Sequence, residues 1–395
     1  MKKLAGDHRK GHERKGHEED RTRWDVPEKL GRRGALGAIG WAGLAWPSLA
    51  AGEEVIPFAD TPKFDPEKPR LPWDQTSEWL TPQEHFFFVG HYGFPEVKLD
   101  GWKLDIGGLV GKTASLSLDD LKKRPAREHI ITLECSGNAP TGGLIGNARW
   151  KGTPLAPILR EAKVAPEAVE AVFFASDSAT EKIRGADYKQ YFARSLPVAE
   201  ALSNDVLLCY EMNGKPLSSK HGAPVRLIVP GHYGVAWVKW LNRIELHDRK
   251  FLSRFMGRDY VTIRGEKRGE EIIWRETSVG KMNLKSVPGR VVKTSDGKYV
   301  IQGAAWDDGT PVTKVEVQID GGQWQTAKID GSHKEPYTWR FWTLDWTGAT
   351  PGEHTVTSRA TNAKGKVQPA ASDDFIALKK TYWEANQQAV RKVKL

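Results

Sequence analysis

Five short stretches beyond residue 287 constrain the fold more than anything else in the chain. Residues 298–306, 312–319, 324–329, 338–344 and 354–360 alternate apolar and polar side chains with the two-residue period of a half-buried strand. Asp308-Gly309, Asp320-Gly321-Gly322 and Asp330-Gly331 lie between them and supply residues that tolerate the positive φ of tight turns. Strands this short cannot bury a face alone, so they must pair into sheets that pack face to face. The spacing predicts an immunoglobulin-like β-sandwich over residues 286–395, without the cysteine pair of antibody domains.

Upstream the texture is mixed. Residues 102–110, 171–175, 206–210 and 225–229 read as buried strands, with Asp177 just past the end of the second. Ser117, followed three residues later by Asp120, reads as a capped helix start. The β-branched run 130–133 is another buried strand, and it opens at Cys135 into the small, turn-forming Ser-Gly-Asn. Together these predict an α+β domain over residues 75–285, and 395 residues with 39% hydrophobic side chains supply enough apolar material for two cores.

The first 51 residues read as an address. Residues 5–20 repeat Lys-Gly-His-Glu among other charges and cannot bury a core. Arg32-Arg33 then precedes the apolar, Gly/Ala-rich 34–49, with small residues at Ser48 and Ala50. This looks like a twin-arginine export signal, which predicts a periplasmic protein; an uncleaved anchor is the other reading, although the run is short for a span. A Pro-rich linker is expected over residues 52–74, with ordered structure starting near Trp73. The net charge of +9 suits an anionic substrate or acidic partner but is too diffuse to argue for nucleic acid.

Chemistry concentrates in two places. A thiol at Cys135, where a strand meets a Gly-rich loop, can reach a ligand held against the backbone, and a thiolate is a soft metal donor. The residues alone equally allow an inert buried cysteine, or a Cys135–Cys209 disulfide that would block the ligand role. Farther on, His221, Arg226 and Lys239 are cations beside Gly/Pro loops at strand ends. They could hold a phosphate, or simply be solvated charges.

Resemblance narrows these alternatives. Leu133-Glu-Cys135-Ser-Gly-Asn138, followed by Ala148-Arg-Trp-Lys-Gly-Thr-Pro154, resembles the cofactor loop of the sulfite oxidase family of molybdenum enzymes. Asp320-Gly-Gly-Gln-Trp324 and Trp339-Arg-Phe-Trp342 are similar to that family's C-terminal dimerisation domain. The resemblance implies a molybdenum–molybdopterin cofactor whose metal binds Cys135. It implies pterin contacts from His91, Asp177, His221, Arg226 and Lys239, and an active-site tyrosine at Tyr260. It also implies a homodimer, with Trp324, Trp339, Phe341 and Trp342 exceeding what a small domain needs for its own core. No haem-attachment Cys-x-x-Cys-His occurs, so electrons are expected to pass to a separate protein such as a cytochrome.

Departures from the family pattern bear on the substrate. Val89 stands where sulfite-oxidising members place an arginine, and Ala139 and Pro140 follow Gly-Asn where basic residues are common. An oxyanion without those cations loses charged hydrogen bonds worth roughly 1.5–3 kcal/mol each. Arg149, Arg258 or Arg340 could compensate if they fold over the metal, and the sequence alone does not place them. Sulfite oxidation leads among the expected activities, with turnover of an uncharged S- or N-oxide as the alternative. A non-catalytic β-sandwich binding protein is the reading from another class.

Overall fold

The computed structural model describes Leu49 and residues 51–395 apart from Ser77. The expected charged lead and twin-arginine pair lie outside the described residues. No helix among the described residues is long and apolar enough to cross a membrane. The architecture is α+β with sheets predominating, and the helices are single turns or little more, such as Leu118–Lys122 and Leu155–Glu161. The first of these starts at the expected cap: Asp120 N–H donates to Ser117 Oγ, and Ser117 N–H donates back to the Asp120 carboxylate.

Two sheets carry the N-terminal part. In the first, Arg226–Ile228, Leu207–Met212, Ile145–Pro154 and Arg127–Glu134 lie side by side, all antiparallel. The second runs Ala114–Leu116, Leu104–Gly108, Leu241–His247, Glu170–Ile183, Ala186–Pro197, with one parallel pair at its centre. Asp177 lies inside the long strand Glu170–Ile183 and not past its end. A register shift between Phe174 and Ser178 interrupts the pairing there, and Asp177 is buried within the interruption.

The sandwich consists of Glu54–Pro57, Lys285–Lys293, Tyr299–Trp306, Arg340–Trp346 and Lys328–Ile329 in one sheet, and Gln325–Thr326, Val312–Ile319, Glu353–Asn362 and Val390–Lys394 in the other. Its core is Phe58, Val291, Ile301, Val315, Val317, Trp342, Val356 and Val393. The supposed linker 52–74 therefore carries structure: Glu54–Pro57 is an edge strand on Lys285–Lys293, and Phe58 is buried. Arg391 pins this segment by donating to Asp60 at 2.8 Å and Thr61 at 3.1 Å while lying over the Phe58 ring. Prolines spaced through the stretch gave it the composition of a linker, but an edge strand tolerates proline because one row of its backbone groups is unpaired.

The aromatic residues expected at a dimer interface are mostly spent within the chain. Trp339, Phe341 and Trp342 are fully buried. Trp339 and Phe341 join the core of the N-terminal part, where Trp73 stacks at 6.3 Å on Trp306 and lies 6.1 Å from Trp339. Their large apolar area glues sandwich to sheet, leaving Trp324, covered by Arg359 at 4.1 Å, half-buried on the outside.

Candidate active site

The strand Arg127–Glu134 delivers Cys135 into the lining of a cleft. Beyond it the chain folds back at once: Cys135 N–H donates to Leu144 O at 2.9 Å, and Asn138 N–H to Cys135 O at 2.9 Å. Asn138 closes the loop from inside, accepting from Leu144 N–H at 2.9 Å and donating to Glu134 at 3.0 Å. Gly142 is required here, since a Cβ on it would stand 2.5 Å from the Asn138 side-chain oxygen. Burial pushes the Cys135 thiol up to about 11, partly countered by a hydrogen bond from the Gly137 backbone. Both cysteines are free, and Cys209 is buried in Leu207–Met212, so no disulfide competes for the Cys135 sulfur.

In the same cleft, His91 Nε2 lies 2.9 Å from the Tyr260 hydroxyl, and the imidazole stacks at 4.2 Å on Phe192. Trp383 covers the other face of this group, its ring 4.4 Å from that of Tyr260. Burial, with Cys135 and Tyr382 nearby, pushes the Tyr260 phenol well up, so it stays protonated at neutral pH. Burial and the charges of Lys239 and Arg194 lower His91 to about 3.

Cations gather in the same cleft. His221 sits on the single turn Ser219–His221, with Ser218 Oγ 2.7 Å from Nδ1 and Phe86 O 3.2 Å from Nε2. Gly222, at φ 100°, then packs against Lys239, where a Cβ on it would stand 2.8 Å from Lys239 Cβ. Arg226 donates to His221 O and Trp237 O and lies between the Trp150 and Trp237 rings at 5.0 and 5.9 Å. Lys239 donates to Val89 O at 2.7 Å. Burial lowers Arg226 to about 10, Lys239 to about 7 and His221 to about 4, with neighbouring cations adding to the last two. Asp177 accepts from Tyr92 N–H at 3.3 Å, while its other oxygen is buried without a partner.

All seven sequence-derived residues, His91, Cys135, Asp177, His221, Arg226, Lys239 and Tyr260, line this one cleft. Val89 lines it too, as do Phe192, Lys220 and Trp237, which no sequence signal marked. Arg149, Arg258 and Arg340 do not line it. Arg149 pairs with Glu128 at 2.8 Å, Arg258 pairs with Glu181 at 3.0 Å, and Arg340 belongs to a sandwich strand. The expected compensation by these three is therefore not made.

A family described as an oxidoreductase molybdopterin binding domain matches residues 91–255, and one described as a Mo-co oxidoreductase dimerisation domain matches residues 274–383. Sulfite oxidase from Gallus gallus is 31% identical over 358 residues, covering 81% of this chain and 77% of that protein. The chain belongs to the sulfite oxidase family. Mitochondrial sulfite oxidase from Homo sapiens is 32% identical over 332 residues, which are 74% of this chain and 59% of the human protein's length. The solved structure of the sulfane dehydrogenase SoxCD from Paracoccus pantotrophus superposes with a TM-score of 0.69 at 28% identity, covering 82% of this chain and 86% of that one.

Membership gives the chain a molybdopterin-binding domain, and its residues fit the cofactor. Arg226 Nε and one Asp177 oxygen are buried without partners, and both residues line the cleft. The cleft's cations outnumber its single carboxylate, as a phosphate-bearing ligand requires. Among the described residues no group of three or more His, Cys, Asp or Glu side chains is placed to hold a metal ion.

The two depressed histidines predict a pH dependence. His91 at about 3 and His221 at about 4 stay neutral in the fold, whereas unfolded histidine takes up its proton near 6.5. The unfolded state thus binds more protons as pH falls below about 6.5, and stability drops toward pH 4 by about 1.4 kcal/mol per unit for each histidine. Urea melts of the cofactor-free protein should show this slope, and His221→Asn should remove its share. An unchanged slope in that variant would mean His221 is charged in the fold.

Proposed function

We propose that this protein oxidises a small sulfur oxyanion, sulfite foremost, in the periplasm and passes the electrons to a separate electron-transfer protein such as a cytochrome. The observation carrying this reading is the convergence of Cys135, Tyr260 and His91 in one cleft with the cations Arg226 and Lys239. When bound, the molybdenum group supplies two-electron oxygen-atom transfer, so that sulfite and water give sulfate, two protons and two electrons. Cys135 would hold the metal through its sulfur, and His91, Asp177, His221, Arg226 and Lys239 would hold the pterin and its phosphate. The Tyr260 hydroxyl, kept protonated and 2.9 Å from His91 Nε2, orients the substrate and donates its hydrogen bond there. A homodimer through residues 286–395 completes the proposal, although the surface involved is not the tryptophan cluster, which is interior.

An uncharged S- or N-oxide is the second reading, favoured by the apolar Val89 and Phe192 side chains lining the cleft. One experiment separates the two. Protein recovered from the periplasm of a molybdenum-replete host is assayed with sulfite and ferricyanide, and with a neutral sulfoxide and a reduced dye. The expected result is stoichiometric molybdenum and sulfite turnover, with the Arg32→Lys, Arg33→Lys variant left in the cytoplasm. Sulfoxide turnover without sulfite turnover would overturn the oxyanion reading, and normal export of the double variant would overturn the location.

A further inference from the structure

One stretch near the C-terminus touches both the cysteine loop and the segment that carries Tyr260. Tyr382-Trp383-Glu384 lies between the single turn Asp374–Ala377 and the sandwich strand Val390–Lys394. The Trp383 ring stacks on Tyr260 at 4.4 Å with 26° between the planes. The same indole presses on the loop after Cys135, where a Cβ on Gly137 would stand 3.3 Å from Trp383 Cζ3. One ring thus packs against both partners.

Glu384 makes a second link between the same two segments. Its N–H donates to Ser136 O at 2.7 Å, and its carboxylate accepts from Thr262 Oγ1 at 2.6 Å. Ser136 follows Cys135 directly, and Thr262 lies two residues past Tyr260. Lys379 Nζ fixes the stretch from behind by donating to Trp383 O at 2.6 Å. The backbone adds an independent observation: Glu384 has φ 56°, in the left-handed region that glycine enters at least cost. A side chain stands there nonetheless, and it is the one bound to Thr262. Backbone strain of this kind persists where the surrounding contacts over-determine it.

We propose that Trp383 and Glu384 are positioning residues that set where Tyr260 stands relative to Cys135. Glu384 ties Ser136 to Thr262, while the Trp383 ring, wedged against Gly137, holds the phenol with its hydroxyl 2.9 Å from His91 Nε2. Neither residue lines the cleft, so both act through the two that do. The inference rests on the roles assigned above to Cys135 and Tyr260. Misplacing a reacting pair by about 1 Å costs up to roughly a hundredfold in rate, which is the effect a loosened strap would have.

The experiment uses full-length, cofactor-loaded protein, with sulfite and ferricyanide for kinetics and the thiolate-to-metal absorption band as a reporter of the geometry at Cys135. Trp383→Leu and Glu384→Gly are each expected to lower kcat about tenfold or more and to shift that band, with KM and molybdenum content within about threefold of wild type. Trp383→Phe, which keeps a stacked ring, and Glu384→Gln, which keeps an acceptor for Thr262, should restore most of the rate. Glycine relieves the left-handed backbone while deleting the carboxylate, so the melting temperature of Glu384→Gly should stay within a few degrees of wild type. Should Trp383→Leu fail to fold, the two Glu384 variants decide the matter. Wild-type kcat with an unmoved band in Glu384→Gly would overturn the proposal, as would a rate that falls only in step with molybdenum content. A shifted band in a protein that does not oxidise sulfite would uphold the positioning role and overturn the proposed substrate.

Discussion

Cys135→Ser is expected to abolish turnover, by on the order of a thousandfold or more, in a protein that still folds. Serine is the smaller isostere, and the two backbone hydrogen bonds that set the loop, Cys135 N–H to Leu144 O and Asn138 N–H to Cys135 O, do not involve the side chain. Cys135 is only partly exposed where it lines the cleft, and serine changes little of the volume there. What changes is the donor: an alkoxide is harder and far more basic than a thiolate, and it is not formed at neutral pH without a stronger Lewis acid than the thiol needs. Activity, molybdenum content and a thermal melt of the same preparation decide the matter. Wild-type turnover by the serine variant would remove Cys135 from the metal.

Lys285→Met is expected to be the most destabilising single change near the site. Glu134 and Lys285 are both essentially inaccessible, with Nζ 2.5 Å from Oε1, and the same carboxylate accepts from the Trp306 indole at 2.9 Å and from Asn138 at 3.0 Å. Removing the lysine leaves a carboxylate buried beside Cys135 without its counter-charge, a situation that costs roughly 3–5 kcal/mol. The pair itself contributes far less than that, because desolvating two charges offsets most of their attraction. Glu134→Gln combined with Lys285→Met should therefore recover much of the loss. Since Glu134 also holds Asn138, and Asn138 closes the cysteine loop, molybdenum content should fall in the single variant along with stability. Denaturant melts of the three proteins test this, and a loss below about 1 kcal/mol for Lys285→Met would show that water reaches the pair.

Much of the site was legible because its chemistry is local in the chain. The β-branched run ending at Cys135 is the strand Arg127–Glu134, and Ser117 with Asp120 forms the cap that its spacing implies. His221, Arg226 and Lys239 stand close in sequence on turns and strand ends and reach the cleft together. Lys220, Phe192 and Trp383 were not legible. Each is an ordinary residue in an unremarkable local pattern, and only its long-range neighbours make it part of the site.

The alternation of side chains determined by itself that the C-terminal residues form a sandwich, since burial of one face follows directly from a two-residue period. It determined as well that Cys135 ends a buried strand, because β-branched residues and small turn formers decide that within a few positions. Tertiary structure alone decided where large aromatics go: Trp339 and Phe341 alternate as sandwich residues but are buried against Trp73 and the cofactor domain's core, not against a second subunit. It decided too that residues 54–57 and 390–394 pair within the sandwich, and that His91 and Tyr260, far apart in the chain, meet in one cleft. Such contacts cost loop entropy that is repaid only when every partner is in place, so no window of the chain contains their signal.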